Sequence, residues 1–263
     1  MRSFFRSLTG KRGRGGDSGD DSDAEFPTFN VTIPDADRDP GYPIGVPSKF
    51  DPEGNVQPFS GNTIIAHLAP RTEFYASLLE LHAKLAASPL SSLFALLPPE
   101  SWHMTIFEGV CDSVRAPGHW PKDLHRDASL AQCTSHFVKK LENFHLPPAE
   151  QPPYRLVATG FSSFAVGIGI RLSFRTAEEE ARFRRLRDRL AETLQIKHAH
   201  HKYYELHLSM AYFLRYLNKE QKAQMTALLK EHFETMPKQF ELGAPEFCTF
   251  EDMFRFDRMF YLR

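Results

Sequence analysis

An α+β fold made of two similar halves is what this sequence of 263 residues predicts. Two mostly antiparallel sheets would face a central cleft in a bilobal, pseudo-twofold duplicated unit. Three observations point there. Ser101-Trp102-His103-Met104-Thr105-Ile106-Phe107 and Glu205-Leu206-His207-Leu208-Ser209-Met210-Ala211 follow one pattern, in which a histidine, a spacer, a hydroxyl residue and an apolar residue succeed one another. Each copy closes a strand, helix, strand series, and the two copies stand about one lobe length apart.

The elements follow in order. Residues 1–26 read as a disordered charged tail, with Arg2, Arg6, Lys11, Arg12 and Arg14 ahead of Asp17, Asp20, Asp21, Asp23 and Glu25. So few apolar residues cannot offset the entropy of ordering. The acid-free, arginine-rich start shares one feature with mitochondrial presequences, but its glycines and the acidic block behind it favour a solvated tail. Residues 27–60, rich in proline and glycine, read as an extended arm over the surface, with a turn at Lys49 to Gly54.

The domain proper is expected at 61–263, with lobe one about 61–146 and lobe two about 154–263. Asn62 to Leu68 reads as a strand, Thr72 to Ala87 as a helix, Trp102 to Val110 as the first motif strand, and Ser129 to Phe144 as a second helix. Beyond the proline-rich linker, Tyr154 to Gly160 and Ala165 to Phe174 form a hairpin. Thr176 and Glu179 spell a capping box opening a helix with a Phe183, Leu186, Leu190, Leu194 stripe. Its arginines read as a solvated face paired with Glu178, Glu180, Asp188 and Glu192. The second motif strand follows, then a helix from Asn218, and the aromatic stretch Phe240 to Leu262 returns as one or two strands.

Totals narrow the function classes. Hydrophobic content of 41% and charged content of 25% are ordinary for a globular protein. A net charge of -1 argues against a binder of bulk polyanion. Three widely spaced cysteines without a C-x-x-C suggest neither a disulfide framework nor a thiolate metal site. No apolar run approaches the ~20 residues of a membrane span. The expectation is an intracellular monomer without cofactor or membrane contact, cytoplasmic by default, the nucleus and mitochondrion being alternatives.

Strand alternation then assembles the chemistry. His103, Thr105 and Phe107 would share one face, with Trp102, Met104 and Ile106 behind them; His207 and Ser209 would share another, backed by Leu206, Leu208 and Met210. Tyr212 continues the Leu208 and Met210 face and is expected in the core. An imidazole with a pKa of about 6.5 both accepts and donates protons near neutrality. Two of them across a cleft make a base and acid pair. Thr105 and Ser209 can donate hydrogen bonds to phosphoryl oxygens. No P-loop or G-x-S-x-G occurs, and the repeat builds in no carboxylate as a metal ligand. Metal-free phosphodiester cleavage uses all four residues.

On these motifs, His103-Met-Thr105-Ile and His207-Leu-Ser209-Met, the chain resembles the 2H phosphoesterases over about residues 48 to 262, in a branch with fungal and bacterial members. The resemblance implies a bilobal α+β fold. It also implies that one of His103 and His207 activates the attacking oxygen while the other protonates the leaving oxygen, with either assignment open. Thr105 and Ser209 would hold the phosphoryl group. The implied substrates are 2′,3′-cyclic phosphates of RNA ends or small nucleotides; the alternative is a non-catalytic module that binds phosphorylated ends. Phe107, His201 and Tyr204 are candidate pocket residues, Phe107 by stacking on a base or ring. His198, His200 and His201 invite a metal reading, but the run lacks a partnering carboxylate or cysteine set, so no metal is expected. No extended nucleic-acid surface is evident.

Overall fold

The computed structural model describes residues 39–263; the tail 1–26 and the arm up to residue 38 lie outside the described residues. Strands form where β-branched and aromatic residues alternate. In chain order they are β1 (Gly61–His67), β2 (Phe94–Leu96), β3 (His103–Cys111), β4 (Tyr154–Phe161), β5 (Gly167–Phe174), β6 (His207–Phe213), β7 (Gln239–Leu242), β8 (Glu246–Phe250) and β9 (Asp257–Tyr261). The helices are α1 (Glu73–Ala86), α2 (Leu130–Leu141), α3 (Ala177–Leu194) and α4 (Lys219–Thr235).

Side-chain caps fix where each helix starts. The Thr72 hydroxyl accepts from the Tyr75 amide, and reciprocal boxes form at Ser129 with Gln132 and at Asn218 with Gln221. Thr176 likewise accepts from the Glu179 amide, but the expected reciprocal half is not made. The Glu179 carboxylate instead takes Arg155 Nη1 at 3.4 Å. Phe183, Leu186, Leu190 and Leu194 are buried as expected, each contributing about 1.5–3 kcal/mol of apolar burial.

All strand pairings between these elements are antiparallel, in the order β7-β4-β5-β6-β3-β1-β8-β9 with β2 on β6. The α+β class and the two-halved arrangement therefore hold, and the halves join into one sheet through the Met104 and Leu208 pairing of β3 with β6. Four strands lie on the β3 side of that junction and five on the β6 side, where β2 adds to β7, β4, β5 and β6. The sequence boundary between lobes does not follow this division. β8 pairs with β1, so 246–261 complete the first half although they follow the second in the chain. Helices pair across the halves too: Lys140 of α2 donates to the Thr193 carbonyl of α3, and Ser77 of α1 meets His232 of α4.

Two expectations need correction. The arm is no surface strap in its described part, since Val46 and Phe50 are buried and the Phe50 ring lies 5.4 Å from that of Tyr212. Nor are the α3 arginines a uniform solvated face. Arg184 does pair with Glu180, but Arg189 reaches across to Glu150 and Asp188 holds His201. Arg187 is only 1% exposed. It occupies an apolar site between rings, as described below.

Candidate active site

Met104 and Leu208 both point into the core, so their chain neighbours point the other way. In antiparallel register around that pair, His103 lies opposite Ser209 and Thr105 opposite His207. The local twofold axis thus runs between the two motifs. All four side chains line one cavity of about 900 Å³, together with Tyr204. That is a volume suited to a nucleotide-sized ligand.

The two histidines are held alike. His103 Nδ1–H donates to the Ser101 carbonyl at 2.7 Å, and His207 Nδ1–H donates to the Glu205 carbonyl at 3.1 Å. In both copies the acceptor lies two residues earlier. A carbonyl can only accept, so each ring carries a proton on Nδ1.

A second shared feature decides what else enters the cavity. β3 pairs Ile64 with Phe107 and then Ile65 with Thr105, which leaves Ile106 as an extra residue. β6 pairs with Ile168 through Ala211 and with Gly169 through Ser209, leaving Met210 extra. Each motif strand therefore bulges three residues after its histidine. A one-residue bulge resets the alternation beyond it. Phe107 is turned into the core, at 0% exposure, and does not line the cavity, contrary to the stacking expectation. Tyr212, expected in the core, lines the cavity, and so does Glu108. Glu108 and Tyr212 are thus equivalent positions, each five residues after a motif histidine.

Glu108 anchors a polar wall that sequence reading missed. Its carboxylate meets His200 Nε2 at 3.0 Å and faces Arg187 Nη2 at 3.7 Å. Arg187 donates to the Ile106 carbonyl at 2.6 Å, stacks on the Tyr204 ring at 4.0 Å and approaches the Phe107 ring at 5.7 Å. Tyr204 in turn reaches the Thr105 hydroxyl. His198 Nε2–H donates to the Glu108 carbonyl at 3.2 Å, and its Nδ1 meets His119 Nδ1 at 3.1 Å; both rings line the cavity. His201 does not. It is buried against Asp188, 2.8 Å away, and is a structural partner of α3.

Burial and charge set the protonation states. His103 is pushed down from 6.5 to about 4, by burial first, against the Ser101 carbonyl, with His67 and His207 adding to the depression. His207 is lowered as well, by burial, although the Glu205 carbonyl and the Glu108 charge oppose it. Burial opposes ionisation of Glu108, but His200, His198 and Arg187 outweigh it and hold the carboxyl at about 2. Burial raises the Tyr204 phenol, which stays neutral.

These shifts carry a stability prediction. Groups lowered from 6.5 in the folded chain include His103, His207, His119, His198, His201 and His232. The unfolded chain binds more protons as pH falls below about 6.5, so stability present at neutrality is lost on acidification. The urea midpoint is expected to fall steadily from pH 7 to pH 5. A flat or rising midpoint over that interval would contradict the buried neutral imidazoles.

One further cluster borders the site. His67, Glu246 and Cys248 bring ligand atoms within 4.8 Å of one another. His67 Nδ1 bonds Glu246 at 2.9 Å, Arg258 takes the same carboxylate at 3.1 Å, and burial pushes the Cys248 thiol up to about 12. A cationic neighbour and a protonated thiol make this a poor donor set for a metal. The His67 ring stands 6.2 Å from that of His103, its cross-strand partner.

The chain is similar to known proteins in part of its sequence and in its fold. Residues 49–166 match a family model named for the 2H phosphodiesterases, a domain of unknown function (DUF1868). The match is consistent with a member of the 2H phosphoesterase superfamily. The matched segment holds the first motif, and the second lies beyond it in β6. A solved structure, that of a conserved protein of unknown function from Agrobacterium tumefaciens strain C58, is 28% identical. It covers 87% of this chain and 96% of its own with a TM-score of 0.78, and so shares the fold across both halves. No curated protein matches significantly. Among the described residues, no helix is long and apolar enough to cross a membrane.

Proposed function

We propose that this protein is a 2H-type, metal-independent phosphodiesterase acting on 2′,3′-cyclic phosphates of RNA ends or small nucleotides. The observation that carries the reading is the mirrored pair of Nδ1–H bonds to backbone carbonyls. It sets two imidazoles, each with Nδ1 engaged, on one cavity beside two hydroxyls. That arrangement suits in-line displacement at phosphorus. One imidazole takes a proton from water as its oxygen bonds to phosphorus. The other, protonated, delivers Nε2–H to the ribose oxygen as its bond to phosphorus breaks. Thr105 and Ser209 hold the non-bridging oxygens, and Tyr204 orients Thr105.

The cavity is not symmetric, and this supports a division of roles. His103, held at about 4 by burial and without an ionised carboxylate bonded beside it, serves as base. His207, nearer the ionised Glu108, serves as acid once the substrate's own negative charge favours its protonation. The test is turnover of a panel of 2′,3′-cyclic nucleotides in the presence of EDTA, followed as release of the phosphomonoester. Hydrolysis that survives EDTA is the expected result. Activity abolished by EDTA and restored by a divalent ion would sink the metal-independent mechanism. Binding of the nucleotides without hydrolysis would put a non-catalytic binding module in its place.

A further inference from the structure

Lys49 lines the same cavity, and nothing in the two motifs accounts for it. The segment that carries it is firmly seated. Lys49 N–H donates to the Gly45 carbonyl at 2.8 Å, the Gln57 amide donates to the Lys49 carbonyl at 2.8 Å, and the next residue, Phe50, is fully buried. Gly45 has φ 108°, and a Cβ there would stand 3.1 Å from the Tyr212 ring, so only glycine seats the arm this closely. The ammonium donates to the Tyr212 hydroxyl at 3.0 Å and lies 4.8 Å and 5.1 Å from the Tyr212 and Phe59 ring centres. Among the described residues it forms no ion pair with a carboxylate. A half-buried cation held by rings and one phenol is an anion site waiting for its charge partner.

Its position separates it from the scissile phosphate. Ser209 and Tyr212 pair with Gly169 and Gly167 of β5, because Met210 is the bulge, so they stand about 7 Å apart along the sheet at ~3.3 Å per residue. That is the spacing of two anionic groups on one nucleotide rather than two oxygens of one phosphoryl group. The bulge that turns Tyr212 inward therefore gives this copy a cationic pole, while the same bulge in β3 gives the other copy the acidic pole Glu108.

Resting on the phosphodiesterase reading, we propose that Lys49 and Tyr212 form a second anion subsite. The substrate would be a cyclic phosphodiester that also carries a phosphomonoester, as at a ribose 5′ position. The test compares kcat/KM for adenosine 2′,3′-cyclic phosphate with and without a 5′-phosphate, in wild type, Lys49→Met and Lys49→Arg, with thermal melting to confirm folding. A charge-assisted contact predicts that wild type prefers the 5′-phosphorylated substrate by about 10-fold or more. Lys49→Met is expected to bring the ratio to within about twofold, and Lys49→Arg to keep most of it. Wild-type indifference to the 5′-phosphate would overturn the subsite alone, as would a Lys49→Met protein that loses both activities in parallel. Turnover of neither substrate by wild type would instead sink the phosphodiesterase reading, and the subsite with it.

Discussion

Replacing His103 or His207 by alanine is expected to lower kcat on a 2′,3′-cyclic nucleotide by about 10²–10⁴-fold each, the range for losing one positioned proton-transfer group. The double variant should lose little more than the worse single one, because the two imidazoles act within one displacement. Folding should survive, since both rings stand at the cavity wall rather than in the core. The pH profile separates the roles. kcat/KM reports the free enzyme, in which His103 titrates at about 4 and His207 below 6.5. Activity should fall as pH drops through about 4, when the base is protonated, and fall again as pH rises through the lowered value of His207, where the acid loses its proton. The optimum thus lies on the acid side of neutrality. Near-wild-type turnover by either alanine variant would end the opposed-histidine mechanism. An optimum above pH 8 would mean that the depressed imidazoles are not the groups that move protons.

The sequence was most readable where local rules act alone. The helix caps at Thr72, Ser129 and Asn218, the 3.6-residue stripe of α3 and the alternation around His103 and His207 are short-range properties, and the chain shows them directly. Its errors share one cause, contacts set by partners far along the chain. Nothing within β3 signals that Ile106 will be the extra residue, because a bulge is defined by pairing with β1. That one slip moved Phe107 out of the site and Glu108 into it, and the matching slip at Met210 brought in Tyr212. Lys49 was hidden because a proline-rich arm has no period from which burial can be read, and its seat depends on Tyr212. His119 and His198 sit in loops that meet only in three dimensions.

Arg187 shows the same limit, and its removal should have the largest effect on stability. Along α3 it stands among solvated arginines, yet it is buried between Phe107 and Tyr204, donates to the Ile106 carbonyl and faces Glu108. Removing one partner of a buried charge group typically costs about 3–5 kcal/mol, because the other is left without compensation. Arg187→Ala would strand the Ile106 carbonyl, leave Glu108 to its histidine neighbours and open a void beneath Tyr204. Its unfolding free energy in urea is expected to fall within that range. Arg187→Met, which refills the space without the charge, should recover part of the loss, and adding Glu108→Gln should recover more. The coupling between positions 108 and 187 in that double-mutant cycle is the decisive quantity. Additive effects would mean that the guanidinium serves as a ring spacer rather than as counter-ion to Glu108. The Arg187 variants should also turn over substrate more slowly at temperatures where they remain folded, because the ring that orients Thr105 has lost its support. Unchanged kcat in a folded Arg187→Met protein would detach Tyr204 from catalysis and leave Arg187 with a structural role only.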